Sequence, residues 1–83
     1  MLKAIIHVGL KNGVLDPQGR AIARSLSDLG FDEVSDARQG KVIELDLNET
    51  DISRAKERVT SMCEKLLANT VIESYRVDIK DAS

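Results

Sequence analysis

The chain begins with a regular alternation of apolar and mixed positions. Apolar side chains occupy every even position, namely Leu2, Ala4, Ile6, Val8 and Leu10. The odd positions are more varied and include a lysine, a histidine and a glycine. A period of two is typical of a β-strand with one buried face. The pattern therefore predicts a half-buried strand over Leu2–Leu10.

The apolar period changes to that of a helix over Pro17–Leu29. Three apolar side chains share one face of this helix: Ile22, Leu26 and Leu29. Gly30 follows directly and can adopt the left-handed conformation that ends many helices. The sequence therefore predicts an amphipathic helix that ends at Leu29.

A β-hairpin is predicted in the middle of the chain. Glu33–Arg38 is expected to form a short strand, and Gln39-Gly40 a tight turn. Lys41–Asn48 is then expected to return as the next strand. Its core-facing side chains are the apolar ones at odd positions, Ile43, Leu45 and Leu47.

A second helix and a last strand follow the hairpin. Thr50 or Asp51 can cap the helix, which continues to about Leu67. The last strand is predicted over Val71–Ile79. Residues 81–83 are expected to form a frayed tail.

The predicted order of elements is strand-helix-strand followed by a second strand-helix-strand. It predicts an α+β domain over residues 1–83 with a ferredoxin-like βαββαβ fold, an antiparallel sheet and two helices on one face. On the other face, Ile5, Val42 and Ile72 are expected among charged side chains, which indicates contact with another chain. Because so small a domain is only marginally stable, self-association is also expected.

Composition narrows the classes of function. Charged residues make up 31% of the chain and nearly balance, with a net charge of -2. Nucleic acid and anionic membranes are therefore not expected as partners. No apolar run reaches the roughly 20 residues that span a bilayer. With a single cysteine and no signal-peptide pattern, a cytoplasmic protein is expected.

The sequence contains no recognisable catalytic constellation. His7 is the only histidine, and no spacing brings a nucleophile and an acid to it. Cys63 has no second cysteine and lies beside the apolar stripe of the second helix, where packing is its expected role. The carboxylates are scattered, and the glycines match no phosphate-binding pattern. We therefore expect no catalytic, metal-binding or cofactor-binding residue in this chain.

Residues 11–19, Lys-Asn-Gly-Val-Leu-Asp-Pro-Gln-Gly, join the first strand to the first helix. Asn12 and Gly13 form a turn dipeptide, because both residue types tolerate positive φ. Asp16 is a suitable helix N-cap, and Pro17 suits the first helical position, where no N–H is needed. These two residues are therefore expected to cap the helix.

Gln18 and Gly19 are not required by a simple connection. Alanine in place of Gly19 would favour the helix by about 1 kcal/mol. A glycine there indicates a close backbone approach or a partner. Our hypothesis is a protein–protein contact formed by Asn12, Gly13, Gln18 and Gly19.

The same nine residues resemble the signature of the PurS family, the small subunits of formylglycinamide ribonucleotide amidotransferase. The resemblance continues through Leu29-Gly30-Phe31, Arg38–Lys41, Cys63–Asn69 and Val71–Glu73. Two positions depart from the family pattern. Thr70 stands where the family usually has proline, and Ser74 where an acidic or amide residue is commoner.

This resemblance implies an accessory subunit without chemistry of its own. In the family, the small subunit associates with a large synthetase and a glutaminase in purine biosynthesis. That complex converts formylglycinamide ribonucleotide, glutamine and ATP into formylglycinamidine ribonucleotide, with ATP and Mg²⁺ used by the synthetase. The small subunit is implied to bridge its partners, to help ammonia pass between them, and to form a homodimer or homotetramer.

One alternative shares the predicted order of elements. A free-standing regulatory module of the ACT kind binds a small effector at an interface between chains. Because one fold can host unrelated functions, the fold alone leaves this alternative open.

Overall fold

The computed structural model describes residues 1–81 and has the predicted α+β class. Its elements are β1 (Leu2–Leu10), α1 (Pro17–Asp28), β2 (Lys41–Leu47), α2 (Ile52–Met62) and β3 (Glu73–Asp81). A π-helical turn over Cys63–Leu67 continues α2. The antiparallel sheet and the two helices are confirmed. Within residues 1–81, no helix has the length and apolar character needed to cross a membrane.

The sheet has the strand order β2-β1-β3, so β1 is its central strand. Both neighbours run antiparallel to β1, and Ile6 lies opposite Ile43 on one side and Val77 on the other. Because successive side chains of a strand point to opposite faces, this register gathers the apolar positions of all three strands on one face.

The core lies between that apolar face and α2. Even-numbered residues of β1 are buried as the alternation predicts, and Ala4 and Ile6 are fully buried. Val59 of α2 and Cys63 of the π-helical turn are the other large side chains that are fully buried. Burial of a large apolar side chain stabilises a fold by roughly 1.5–3 kcal/mol. The short apolar stripe of α2 therefore holds the sheet and helix together.

The strand predicted over Glu33–Arg38 is wrong, and so is the hairpin turn after it. Residues 32–40 contain no strand and follow an irregular path to β2. Their polar groups bond elsewhere: the Ala37 N–H donates to Asp36, and the Gln39 N–H donates to Asp16. The segment is held by the loop that precedes α1, so it does not pair as a strand.

The expected packing of both helices on one face of the sheet is found only for α2. That helix packs against β1 and β3. In α1 only Gly19 is buried, whereas Ile22 is 42% exposed and Leu29 is 73% exposed. The core cluster takes no side chain from α1. The first helix therefore forms with nearly the predicted bounds but leaves Ile22 and Leu29 of its apolar face exposed, while Leu26 is half-buried.

The last strand begins two residues later than predicted. Asn69 forms a turn in which its side chain accepts from the Val71 N–H and its carbonyl accepts from the Glu73 N–H. This turn forms with threonine at position 70. Asp81 is the last residue of β3 rather than part of a frayed tail, and residues 82–83 lie outside the described part of the chain.

The second face of the sheet is mostly polar, as expected. Val42 is 60% exposed there, beside a cross-strand pair in which His7 Nε2 lies 3.6 Å from Asp78 Oδ2. Arg76 Nε lies 3.5 Å from the same carboxylate oxygen. Ile72, predicted on this face, lies instead in the turn before β3.

Candidate functional site

Two segments that are distant in the sequence meet at one end of the sheet. Residues 10–19 connect β1 to α1, and residues 36–40 lead into β2; together we term them the loop cluster. The Arg38 guanidinium joins them, because its Nη2 donates to the carbonyls of Leu10 and Lys11, each at 3.0 Å. A guanidinium carries five N–H donors in a fixed fork, which suits neighbouring carbonyl oxygens.

Asp16 connects the same two segments through its carboxylate. Its Oδ1 accepts from the Gly19 N–H and its Oδ2 from the Gln39 N–H, both at 2.8 Å. The side chain is buried, and Pro17 follows at the first helical position. The N–H groups of Gln39 and Gly19 stabilise the carboxylate, which holds the pKa of Asp16 below its ordinary value. Asp16 therefore caps α1 and also anchors the chain before β2.

Gly19 is buried inside the loop cluster. A Cβ at this position would collide with the carbonyl oxygen of Ala37 and lie 2.9 Å from Asp16 Oδ2. Close approach of the backbone, one of the two explanations that the sequence offered, accounts for the glycine. Gly19 is buried within its own chain, and its predicted contact with a partner stays a prediction.

The other three predicted contact residues are exposed. Gly13 has φ of +86°, in the turn where the Val14 N–H donates to the Lys11 carbonyl. Asn12 directly precedes Gly13 in this turn, and Gln18 lies in the first turn of α1, just after the helix cap. Both residues are exposed. Contact between these residues and a partner stays a prediction.

An open cleft of about 290 Å³ lies beside the cap. Its polar lining combines a buried carboxylate, two amides, an ammonium group and a second carboxylate: Asp16, Gln18, Gln39, Lys41 and Glu73. The exposed members present both donors and acceptors, which suits hydrogen bonds to another polypeptide. A second open cleft, of about 370 Å³, lies on the side of Arg20 and Arg38.

Arg38 is the residue of the loop cluster that sequence reasoning missed. The sequence placed it at the end of a strand, and only the family resemblance singled out its surroundings. Its bonds to Leu10 and Lys11 span 28 and 27 residues. Hydrogen bonds between residues so far apart in the sequence produce no local periodic pattern. The pattern of apolar and polar positions therefore could not predict them.

Two ionisable groups outside the loop cluster have shifted pKa values. The Tyr75 hydroxyl donates to Glu64 Oε2 at 2.6 Å, and this bond raises the pKa of Tyr75 to about 12. Burial raises the pKa of the Cys63 thiol, which therefore stays in its protonated form at neutral pH. Cys63 thus acts in core packing, and Tyr75 links β3 to the π-helical turn.

The fold and the loop cluster define a class of protein. A small α+β protein with a tightly bonded loop cluster, exposed polar side chains and an uncovered amphipathic helix is typical of chains that assemble with other chains.

Comparison with known proteins identifies the family within this class. Residues 3–81 match the family model of PurS, phosphoribosylformylglycinamidine (FGAM) synthase. The chain is 46% identical over 81 residues to the phosphoribosylformylglycinamidine synthase subunit PurS of Bacillus subtilis, covering 98% of this chain and 95% of that one. The chain belongs to the PurS family.

Solved structures agree with this assignment. The crystal structure of Methanocaldococcus jannaschii PurS, a subunit of formylglycinamide ribonucleotide amidotransferase, is 41% identical and matches with a TM-score of 0.91 over 100% of both chains. A chain in the structure of PurLQS from Thermotoga maritima is 33% identical and matches with a TM-score of 0.84, over 96% of this chain and 99% of that one.

Proposed function

We propose that this chain is the non-catalytic PurS subunit of the ATP-dependent complex that converts formylglycinamide ribonucleotide to formylglycinamidine ribonucleotide. The observation that carries the proposal is the family match over residues 3–81. In this role the chain binds no cofactor, and ATP and Mg²⁺ are used by the synthetase. The complex acts in the cytoplasm, in purine biosynthesis.

Within that complex, the chain bridges the glutaminase and the synthetase and assists the transfer of ammonia between them. The loop cluster supports this role, because Arg38 and Asp16 fix the loop that presents Asn12 and Gln18. A fixed loop loses little conformational entropy on binding, which favours its use as a contact surface. We also propose that the chain works as a homodimer or homotetramer.

A reconstituted complex tests this function. The purified glutaminase and synthetase of the same organism are assayed with and without the chain, using either glutamine or ammonium chloride as the nitrogen source. We expect omission of the chain to abolish turnover with glutamine and to leave turnover with ammonia. Full turnover with glutamine in its absence would show the proposed role to be wrong.

The Gln18→Ala variant tests the contact surface separately, because Gln18 is exposed and its side chain makes no hydrogen bond to any other residue of the described range 1–81. We expect weaker assembly with one partner, measured by the mass of the complex. Ser27→Ala, at an exposed position further along α1, is the matched control. Equal assembly of both variants would remove Gln18 from the contact.

Calorimetry of the isolated chain distinguishes the regulatory alternative. A module of the ACT kind would bind an amino acid or nucleotide tightly without other proteins. The proposed function predicts no binding heat with either class of compound at millimolar concentration. Tight, saturable binding would favour the regulatory alternative.

A further inference from the structure

Leu15 is an apolar side chain that the loop cluster holds in solvent. The residue before it is fixed by Arg38, whose Nη1 donates to the Val14 carbonyl at 3.5 Å, and the residue after it is the buried Asp16. The backbone is therefore held on both sides, yet Leu15 itself is 63% exposed. Packing within the chain does not explain a leucine at this position.

Two arginines of the first helix lie beside Leu15. Arg20 and Arg24 are one turn apart, so their side chains are neighbours on the helix surface. Both are exposed, on the side of α1 opposite its apolar face. Together with Leu15, Pro17 and Ala21 they line another open cleft, also of about 290 Å³, which we term the basic cleft.

The two arginines do not serve the stability of the helix. Like charges one turn apart repel each other, and a positive charge near the start of a helix opposes the helix dipole. Arg20 is the fourth residue of α1 and the acidic Asp28 is its last, which is the reverse of the favourable order. The charges of α1 therefore indicate a use outside the chain.

The positive charge of the basic cleft is not neutralised within the described part of the chain. The ion pairs of residues 1–81 lie on the polar face of the sheet and near the start of α2. Over the same range, neither Arg20 nor Arg24 donates a side-chain hydrogen bond. The chain as a whole has a net charge of -2, so this basic patch is a local feature that complements an acidic partner.

A polypeptide fits the basic cleft better than a free phosphate does. Anions bind at helix starts through backbone N–H groups, but here the Asp16 carboxylate already accepts from the Gly19 N–H, and its charge repels a second anion. The rest of the lining is apolar and suits a side chain: Leu15, Pro17 and Ala21. A peptide segment can place an apolar side chain there and its neighbouring carboxylates on the arginines.

We propose that the basic cleft binds an acidic segment of a partner subunit, with an apolar side chain against Leu15 and carboxylates on Arg20 and Arg24. A guanidinium binds a carboxylate through two parallel N–H bonds, which gives such a contact direction as well as strength. The inference rests on the proposed function, because the partners are the glutaminase and the synthetase of the same complex. It extends the contact predicted for Asn12 and Gln18 along the outer side of α1.

Titration of the reconstituted complex measures this docking. The chain is added in increasing concentration to fixed amounts of the glutaminase and the synthetase, and turnover with glutamine is recorded. Arg20→Glu/Arg24→Glu is expected to raise the concentration that gives half-maximal turnover by about tenfold or more, because like charges then face each other. Leu15→Ser is expected to raise it by about fivefold, through loss of apolar contact. The plateau of turnover is expected to be unchanged in both.

Lys56→Glu/Arg58→Glu is the matched control, because it changes the net charge by the same amount at exposed positions of α2. We expect its half-maximal concentration to equal that of the wild type. Thermal unfolding separates docking from folding. Arg20→Glu/Arg24→Glu is expected to be at least as stable as the wild type, since glutamate near the start of a helix is favourable.

The titration distinguishes failure of the docking from failure of the proposed function. A wild-type chain that does not stimulate turnover with glutamine contradicts the function. A wild-type response that Arg20→Glu/Arg24→Glu shares, or a shift of equal size in the control variant, overturns the docking alone. So does saturable binding of ATP or inorganic phosphate that Arg20→Glu/Arg24→Glu abolishes, because the cleft would then hold a small anion.

Photocrosslinking identifies the docked segment. Leu15→Cys is labelled with a benzophenone maleimide, and Cys63 does not react because it is fully buried. Irradiation of the assembled complex is expected to link position 15 to a peptide of the glutaminase or the synthetase that carries aspartate or glutamate beside the linked residue. Crosslinks only to a second copy of the chain, or to a peptide without carboxylates, would contradict the proposal.

Discussion

Asp16 accepts hydrogen bonds from two sides, and only one of them follows from local sequence. The cap bond to Gly19 spans three residues, so an aspartate before a proline predicts it. The bond to Gln39 spans 23 residues and depends on how residues 36–40 return to the sheet. Capping could therefore be read from the sequence, whereas the anchoring role could not.

The two bonds to Asp16 predict a pH-dependent contribution to stability. Asparagine has one acceptor oxygen, so Asp16→Asn is expected to lower the Tm at pH 7 by on the order of 5 °C. Because the folded pKa lies below the ordinary value of 3.8, the carboxylate stabilises the fold fully above that value, and this stabilisation is lost as the pH falls through the folded pKa. The difference in Tm between wild type and variant should therefore shrink below about pH 4.

Thermal unfolding at pH 7, 5, 4 and 3, followed by circular dichroism, measures this difference. Asp51→Asn is the control, since Asp51 caps α2 through Oδ1 alone and is exposed. A difference between wild type and Asp16→Asn that stays constant down to pH 3 would contradict the prediction.

Gly19→Ala separates helix propensity from packing. Propensity alone predicts stabilisation by about 1 kcal/mol. The collision of the new Cβ with the Ala37 carbonyl predicts the opposite sign, a clear loss of stability. Urea unfolding measures the change, with Ser25→Ala at an exposed position of α1 as the control. A more stable Gly19→Ala variant would show that the loop cluster relaxes at little cost.

At the scale of elements, periodicity predicted the type of each helix and of three strands. Leu2–Leu10 matches in full, because the alternation extends over nine residues. The strand predicted over Glu33–Arg38 rests on a short stretch with weak alternation, and long-range bonds of Asp16 and Arg38 determine its path instead. Short segments have too few positions for a period to outweigh tertiary bonds.

The contact between the π-helical turn and β3 gives a spectroscopic prediction. Tyr75 is the only tyrosine and the chain has no tryptophan, so its ionisation is seen directly by ultraviolet absorbance. The hydrogen bond to Glu64 raises the pKa of Tyr75 to about 12. We expect Glu64→Gln to lower that pKa toward 10, the ordinary value for tyrosine, and Glu57→Gln on α2 to leave it unchanged. Equal titration curves for wild type and Glu64→Gln would exclude this bond.

At the scale of the whole molecule, the sequence determined the family and the layer architecture but not the position of α1. An apolar stripe at Ile22, Leu26 and Leu29 indicates that a helix is buried against something, without indicating which chain supplies the other surface. The expectation of self-association from the small size of the domain stays a prediction.

If the chain works as the proposed homodimer or homotetramer, its stability depends on chain concentration. Unfolding of a pair releases two chains, so each tenfold increase in concentration adds about 1.4 kcal/mol to the free energy of unfolding per pair. We therefore expect the urea midpoint of the wild type to rise when the chain concentration is raised from about 1 μM to about 100 μM. Ile22→Asp/Leu29→Asp is expected to have a lower midpoint that does not vary with concentration. A wild-type midpoint independent of concentration would mean that the chain folds alone, with α1 exposed until another protein covers it.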